Sequence, residues 1–240
     1  MPNANRRYGR LQVCATNLAL AFFILRHAQR WNWMNLKIKI CGITAVADAM
    51  AAVEAGADAL GFMFYAQSPR WIPPDIAAKI IAELPPFVAK VGVFVDASEE
   101  VIRQTIVESG IDTLQFHGEE PPEFCRRFRL KAIKAFRVRD EQTLWQMGAY
   151  SQEAWLLDAY VPGKPGGTGA RFNWGLAGEA IKLAGAKPVI LAGGLTPENV
   201  ADAVRQVRPF GVDVSSGVES APGKKDHAKV REFIAAARAA

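Results

Sequence analysis

Residues 36–64 read LKIKICGITAVADAMAAVEAGADALGFMF, and this stretch predicts one strand–helix–strand unit. The apolar runs at 36–41 and 58–64 have the length and composition of buried strands. Between them, apolar residues recur with helical spacing at Val46, Ala49, Met50 and Val53. A buried strand, an amphipathic helix and a second buried strand are together typical of a parallel sheet.

The same alternation continues to the end of the chain. Further strands are predicted at 88–95, 112–116, 131–136, 154–158, 187–192 and 211–215. The intervening segments contain helical stripes, such as Val230, Phe233, Ile234 and Ala237, and candidate helix N-caps at Thr44, Ser98, Asp140, Asn173 and Thr196.

Eight such units in residues 34–240 predict a single α/β domain folded as a (β/α)₈ TIM barrel. An open doubly wound sheet is the alternative. The barrel is favoured because polar residues follow the carboxyl ends of six of the eight strands. In a barrel these ends meet at one mouth, whereas in an open sheet they lie spread along an edge.

Residues 1–33 are interpreted as an N-terminal extension and are excluded from the fold argument. They hold five arginines and no acidic residue, and the apolar run from Val13 to Leu25 faintly resembles an export signal. The run is too short to span a membrane, and no small-residue cleavage motif follows it. We expect a non-native start or a disordered segment upstream of a natural start at Met34, with export or membrane attachment as the alternative.

Composition excludes several classes of function for residues 34–240. With 24 basic and 24 acidic side chains, this part of the chain lacks the excess positive charge that nucleic-acid binding needs, and no membrane partner is expected. Three cysteines, Cys14, Cys41 and Cys125, cannot form a disulfide framework, and neither they nor the three histidines form a metal-binding motif. A reducing cytoplasm therefore fits best, with the chain either a monomer or a homodimer.

Two residues at the ends of predicted strands are candidates for proton transfer. Cys41 ends the first strand and faces the start of a helix, where a thiolate is favoured; the alternative is a small buried apolar residue, which is the interpretation for Cys125. Asp158 ends the sixth strand at a position where a core strand would hold another aliphatic residue. A partly desolvated carboxylic acid there can donate a proton, although a helix cap or turn is the alternative.

Other residues at the same mouth are suited to binding an anionic ligand. Arg70 follows the second strand and could grip a carboxylate, while His117 ends the fourth strand and is expected at least to line the pocket. Glycine-bearing stretches follow the last three strands, and their backbone N–H groups can cradle a phosphate, although each could be a simple turn. Their candidate residues are Gly166, Gly167, Gly169, Gly193, Gly194, Ser215, Ser216 and Gly217.

Taken in order, these segments resemble the phosphoribosylanthranilate isomerase family of tryptophan biosynthesis. The matching motifs are KIKICGIT (37–44), GADALGFMFYAQSPRWI (56–72), VGVFVD (91–96), LQFHGEEPPEFC (114–125), LLDA (156–159), PGGTGARFNW (165–174), AGGLTPENV (192–200) and VDVSSGVESAPGKKD (212–226). Thr168 and Ala192 stand where serine is common in the family.

The resemblance implies an aldose–ketose isomerase that performs an Amadori rearrangement on a small phosphorylated substrate without cofactor or metal. Cys41 falls on the family's general base, Asp158 on its general acid and Arg70 on the residue that holds the anthranilate carboxylate. The glycine-rich stretches fall on its phosphate loops. A non-catalytic phosphate-ligand-binding barrel and an isomerase of a related aminoaldose phosphate are the alternatives.

Overall fold

The computed structural model describes residues 36–159 and 174–240, and eight parallel strands close into a barrel within them. The strands are β1 (Lys37–Cys41), β2 (Ala59–Met63), β3 (Ala89–Phe94), β4 (Thr113–Phe116), β5 (Lys131–Val138), β6 (Ala154–Ala159), β7 (Val189–Leu191) and β8 (Gly211–Val214). Closure is made by β8 pairing with β1, with Lys37 opposite Gly211 and Ile40 opposite Val214. The barrel prediction is confirmed, and the open sheet is excluded.

Helices alternate with these strands along the described residues and form the outer layer. They are α1 (Val46–Glu54), α2 (Pro74–Ala82), α3 (Glu99–Ser109), α4 (Pro122–Cys125), α5 (Glu141–Met147), α6 (Trp174–Ala184), α7 (Val200–Val207) and α8 (His227–Arg238). Between β8 and α8, a short 3₁₀ turn (Ser216–Val218) leads into a two-stranded hairpin of β9 (Glu219–Ala221) and β10 (Lys224–Lys225). In the described ranges, every helix is too short or too polar to cross a membrane.

Alternation along each strand divides the core into an outer and an inner part. Ile38 and Ile40 of β1 are fully buried in the apolar layer between barrel and helices. A smaller cluster, which includes Val91, Leu156 and Ile190, fills the barrel interior. Towards the carboxyl ends of the strands, the interior positions become polar, and this change of character creates the mouth that carries the candidate site.

The buried positions of the helices agree only partly with the predicted apolar positions. Val230, Phe233, Ile234 and Ala237 are buried on α8, but on α1 the buried positions are Asp48, Ala49 and Ala52, while Val46 is 42% exposed. Asp48 is buried because its carboxylate accepts a hydrogen bond from the Lys225 backbone and lies 2.8 Å from His227 Nε2. The buried face of α1 therefore includes a polar residue whose partners are distant in sequence.

The predicted N-caps also divide into correct and wrong ones. Ser98 and Asp140 cap α3 and α5 by accepting hydrogen bonds from backbone N–H groups of the first turn. The prediction that Thr44 is an N-cap is wrong, since α1 begins after Ala45 and the Thr44 hydroxyl donates to the Gly223 carbonyl instead. Thr196 is wrong too, because α7 begins after Asn199. Asn173 and the expected extension at 1–33 lie outside the described residues.

Candidate active site

A cavity of about 420 Å³ opens at the carboxyl ends of the strands. It brings together predicted residues from the two ends of the chain. The described site residues that line it are Cys41, Arg70, His117, Asp158, Gly193, Gly194, Ser215, Ser216 and Gly217. Gly166, Gly167 and Gly169 lie outside the described residues. The predicted base and acid therefore face one common space from β1 and β6.

Cys41 lies beside a buried ion pair that the sequence reading did not identify as functional. Lys39, two residues earlier on β1, points to the same side of the strand as Cys41, and its Nζ donates to Asp213 Oδ1 of β8 at 2.8 Å. The Lys39 side chain is 4% exposed and that of Asp213 is 9% exposed. The Lys39 ammonium and the Cys41 sulfur are neighbours beside Gly61. The thiol, ammonium and carboxylate thus form one connected group.

Two opposing effects act on the protonation of Cys41. Burial raises the pKa of the thiol above its ordinary value, while the positive charge of Lys39 favours the thiolate and limits that rise. Burial alone would lower the pKa of Lys39, but Asp213 and the sulfur outweigh it and raise the pKa. Lys39 therefore stays charged, and its charge is the principal local support for a thiolate.

Gly61 makes the close approach of these groups possible. It pairs with Cys41 across β1 and β2, and a Cβ atom at this position would lie 2.6 Å from the Cys41 sulfur and 3.1 Å from Lys39 Nζ. A side chain at this position would displace the sulfur and crowd the ammonium. The absent side chain thereby leaves room for the sulfur and the ammonium side by side.

Asp158 is held by a chain of hydrogen bonds from β4. Its Oδ2 lies 3.1 Å from His117 Nε2, and His117 Nδ1 lies 2.9 Å from Gln115 Nε2. All three residues line the cavity, and Asp158 and Gln115 are buried. Because the Gln115 amide nitrogen can only donate, His117 Nδ1 accepts and Nε2–H donates to Asp158 Oδ2, whether that oxygen belongs to a carboxylate or is the carbonyl oxygen of the acid.

Arg70 reaches the cavity from the loop after β2, but a carboxylate already contacts it. Glu219, at the start of β9, accepts from Arg70 Nε at 2.8 Å and from Nη2 at 2.7 Å. Glu219 Oε1 also accepts from Lys225 Nζ at 2.8 Å, and the Lys225 side chain is fully buried. Arg70 is therefore fixed by protein contacts and is largely withdrawn from solvent.

The described glycine stretches occupy the cavity rim next to β7 and β8. Gly193 and Gly194 follow β7 with φ of 80° and 68°, a left-handed conformation that favours glycine. Ser215, Ser216 and Gly217 follow β8, and the Ser215 hydroxyl is buried without a hydrogen-bond partner among the described residues. Adjacent backbone N–H groups and an unpaired hydroxyl provide the chemistry that an anion would use.

The residues missed by the sequence reading are buried charged or polar side chains: Lys39, Gln115, Asp213, Glu219 and Lys225. The alternation of β1 and β8 was a usable signal for two of them, since it places Lys39 and Asp213 on the interior faces of buried strands. Glu219 and Lys225 follow β8 in a segment with no apolar alternation, and nothing in their local pattern indicates burial.

The remaining described cysteine has a structural environment. Cys125 packs in an apolar cluster with Phe116 and Phe128, as its interpretation predicted. Burial raises the pKa of its thiol to about 11. Across residues 36–159 and 174–240, no group of three or more His, Cys, Asp or Glu side chains could hold a metal ion.

Comparison with known proteins agrees with this architecture. Residues 38–236 match the family model described as N-(5'-phosphoribosyl)anthranilate isomerase. A protein of Geobacter metallireducens named N-(5'-phosphoribosyl)anthranilate isomerase is 55% identical over 204 residues, which span 85% of this chain and 100% of that protein.

Solved structures are similar over most of the chain. The phosphoribosyl anthranilate isomerase of Thermotoga maritima matches with a TM-score of 0.80 and 44% identity, covering 86% of this chain and 100% of that one. A phosphoribosyl anthranilate isomerase in complex with reduced 1-(o-carboxyphenylamino)-1-deoxyribulose 5-phosphate matches with a TM-score of 0.77 and 43% identity, at the same coverage. This chain belongs to the N-(5'-phosphoribosyl)anthranilate isomerase family.

Proposed function

We propose that this protein isomerises N-(5'-phosphoribosyl)anthranilate to 1-(2-carboxyphenylamino)-1-deoxyribulose 5-phosphate in tryptophan biosynthesis. Family membership supports the reaction, and the cavity supports the chemistry. The observation that carries the proposal is that a thiol beside an ammonium and a carboxyl beside an imidazole line the same cavity. The rearrangement needs one group to give a proton and another to take one.

Asp158 is the proposed general acid. In its protonated form it gives a proton to the furanose ring oxygen, and the bond between that oxygen and C1 breaks to leave a protonated imine. The hydrogen bond donated by His117 Nε2–H holds the carboxyl group before and after the proton leaves, because Oδ2 can accept as the carbonyl oxygen of the acid or as a carboxylate oxygen.

Cys41 is the proposed general base. As a thiolate it removes the proton from C2 of the opened sugar, and the electron pair moves into the imine to form an enolamine. The enolamine then tautomerises to the ketone, taking a proton at C1 and losing one from the C2 hydroxyl. Lys39 compensates the negative charge of the thiolate while the substrate binds.

The two anionic ends of the substrate have proposed partners on the cavity rim. Arg70 holds the anthranilate carboxylate, for which a guanidinium offers parallel N–H groups. Gly193, Gly194, Ser215, Ser216 and Gly217 bind the phosphate, together with Gly166, Gly167 and Gly169 from outside the described residues. His117 borders the sugar through its contact with Asp158. These roles require no cofactor and no metal.

A matched pair of cysteine variants tests the catalytic assignment. Cys41→Ala should lower kcat by about 10²- to 10⁴-fold, since a positioned base contributes an effect of that size. Cys125→Ala also removes a buried thiol, but from the apolar cluster, and should retain kcat in a fluorescence assay of turnover. Asp158→Ala should lower kcat as Cys41→Ala does.

Full activity in both Cys41→Ala and Asp158→Ala would contradict the proposal. Binding of the reduced product analogue without turnover by the wild type would favour the non-catalytic barrel. Competition kinetics with a related aminoaldose phosphate tests the other alternative, which predicts that the second substrate is preferred.

We also propose that residues 34–240 are the catalytic domain and that the protein acts in the cytoplasm, as a monomer or a homodimer, with a small phosphorylated substrate as its partner. A reducing compartment suits a base that must remain a thiol or thiolate. Both described cysteines, Cys41 and Cys125, are free.

A further inference from the structure

Arg70 is fixed along its length by the elements around it. Its aliphatic stem lies over Gly42, where a Cβ atom would be 2.6 Å from Arg70 Cδ. Its head group meets Glu219 through two parallel hydrogen bonds, at 2.8 and 2.7 Å. The side chains of Arg70 and Glu219 are only 11% and 5% exposed. The guanidinium therefore has a defined position before any ligand binds.

Glu219 is itself held from the opposite side. Its Oε1 accepts from Lys225 Nζ at 2.8 Å and from the Gly223 backbone N–H at 3.3 Å, and Lys225 Nζ also donates to the Ser215 carbonyl at 3.2 Å. Burial alone would raise the pKa of Glu219, but Arg70 and Lys225 hold it below its ordinary value, so the carboxylate is ionised. The β9–β10 hairpin thus connects Arg70 to the backbone of the proposed phosphate loop.

The contact leaves Arg70 able to bind a second carboxylate. A guanidinium has five N–H donors, and Glu219 uses one on Nε and one on Nη2. The other three, on Nη1 and Nη2, have no acceptor among the described residues. Two cations and one carboxylate also leave the Arg70–Glu219–Lys225 group with a net charge of +1, which attracts an anion.

From these contacts we infer that Glu219 is a positioning residue for recognition of the substrate carboxylate: it holds Arg70 with one edge of the guanidinium presented to the cavity. The inference rests on the proposed role of Arg70. A fixed guanidinium binds a carboxylate better than a mobile one, because the ordering of its side chain has already occurred on folding.

The experiment compares two inhibitors by isothermal titration calorimetry. One is the reduced product analogue, with its carboxyl group, and the other is the same molecule with a plain phenyl ring. In Glu219→Gln we expect the carboxylated inhibitor to bind about three- to tenfold more weakly, the range for mobilising one long side chain, while the phenyl inhibitor changes less than about twofold.

Three variants complete the design. Glu219→Asp keeps the charge but withdraws the carboxylate by one methylene, so it should lose part of the preference for the carboxylated over the phenyl inhibitor. This variant keeps the test available even if Glu219→Gln fails to fold. Arg70→Met should bind the carboxylated inhibitor about 10- to 100-fold more weakly, with no such loss of affinity for the phenyl inhibitor. Glu99→Gln is the matched control, since Glu99 bridges Arg103 of α3 and Arg127 in the turn after α4, and it should bind both inhibitors as the wild type does.

The outcomes separate the inference from the proposed function. Suppose that Arg70→Met loses the preference for the carboxylated inhibitor. If Glu219→Gln and Glu219→Asp then bind both inhibitors equally more weakly, or bind both as the wild type does, the positioning role is wrong and the Arg70 assignment stands. If Arg70→Met leaves the preference intact, the proposed role of Arg70 fails and the inference fails with it.

Discussion

Replacing Lys39 by methionine should remove the charge that supports the Cys41 thiolate. The sulfur lies 2.6 Å and the ammonium nitrogen 3.1 Å from the same point above Gly61, so the two atoms are less than about 6 Å apart. Methionine has a similar length but no charge. The variant therefore tests electrostatics at the base with little change in side-chain volume.

The expected size of the effect follows from Coulomb's law. Two unit charges about 6 Å apart in an effective dielectric of about 20 interact with roughly 3 kcal/mol. That energy corresponds to about a 100-fold change in the fraction of Cys41 present as thiolate. Asp213 would also lose its partner, and its remaining negative charge disfavours the thiolate further. We expect kcat/KM at pH 7.5 to fall by about 100-fold or more.

The assay is the pH profile of kcat/KM, followed by substrate fluorescence. Because burial raises the pKa of Cys41, activity should increase with pH in the wild type. Lys39→Met should move that increase to higher pH, and Asp213→Asn should move it to lower pH, because Asp213 disfavours the thiolate. Lys90→Met is the matched control, since Lys90 is a strand lysine paired with Asp112 and does not line the cavity.

Loss of a buried partner is expected to destabilise Lys39→Met by about 3–5 kcal/mol, so folding is checked by circular dichroism. A folded Lys39→Met protein with kcat/KM within about threefold of wild type would refute the reasoning. So would a shift of its profile in the same direction as that of Asp213→Asn.

Three further predictions concern Gly61, the N-terminal segment and Glu219. Gly61→Ala should displace Cys41 and Lys39, lowering kcat and costing about 1–3 kcal/mol in an unfolding titration, and wild-type values for both would contradict the close approach. A chain that starts at Met34 should keep the kcat/KM of the full chain, whereas a tenfold loss would show that residues 1–33 contribute to activity. Because the pKa of Glu219 is lowered from its ordinary value of 4.5, its carboxylate should stabilise the fold above that pH, and the unfolding free energies of wild type and Glu219→Gln should converge as pH falls below it.

The sequence was sufficient for elements whose stabilising contacts are local. The eight strands were predictable because each is a short apolar run bounded by turn residues, and Ser98 caps α3 through a hydrogen bond three residues away. The mouth could be predicted as well, because parallel strands in a barrel end at one edge. Cys41 and Asp158 stood out as chemically capable residues at such ends.

The rest depends on partners that are distant in the chain. Lys39 and Asp213 are 174 residues apart, and neither charge is buried without the other. Thr44 does not cap the helix, because its hydroxyl donates to the carbonyl of Gly223, 179 residues later. The place of Arg70 after β2 allowed a prediction that it binds a carboxylate, but its contact with Glu219 crosses 149 residues and has no local signature. Buried ion pairs therefore set the limit of what the sequence alone could predict.

The most direct measurement is the structure of this protein bound to the reduced product analogue. With Cys41 as base and Asp158 as acid, the sulfur should lie about 3–4 Å from C2 of the ligand. The Asp158 carboxyl should lie about 2.6–3.2 Å from the oxygen on C4, which is the ring oxygen of the substrate. A ligand bound with C2 turned away from Cys41, or with both groups beyond contact of the sugar, would contradict the account.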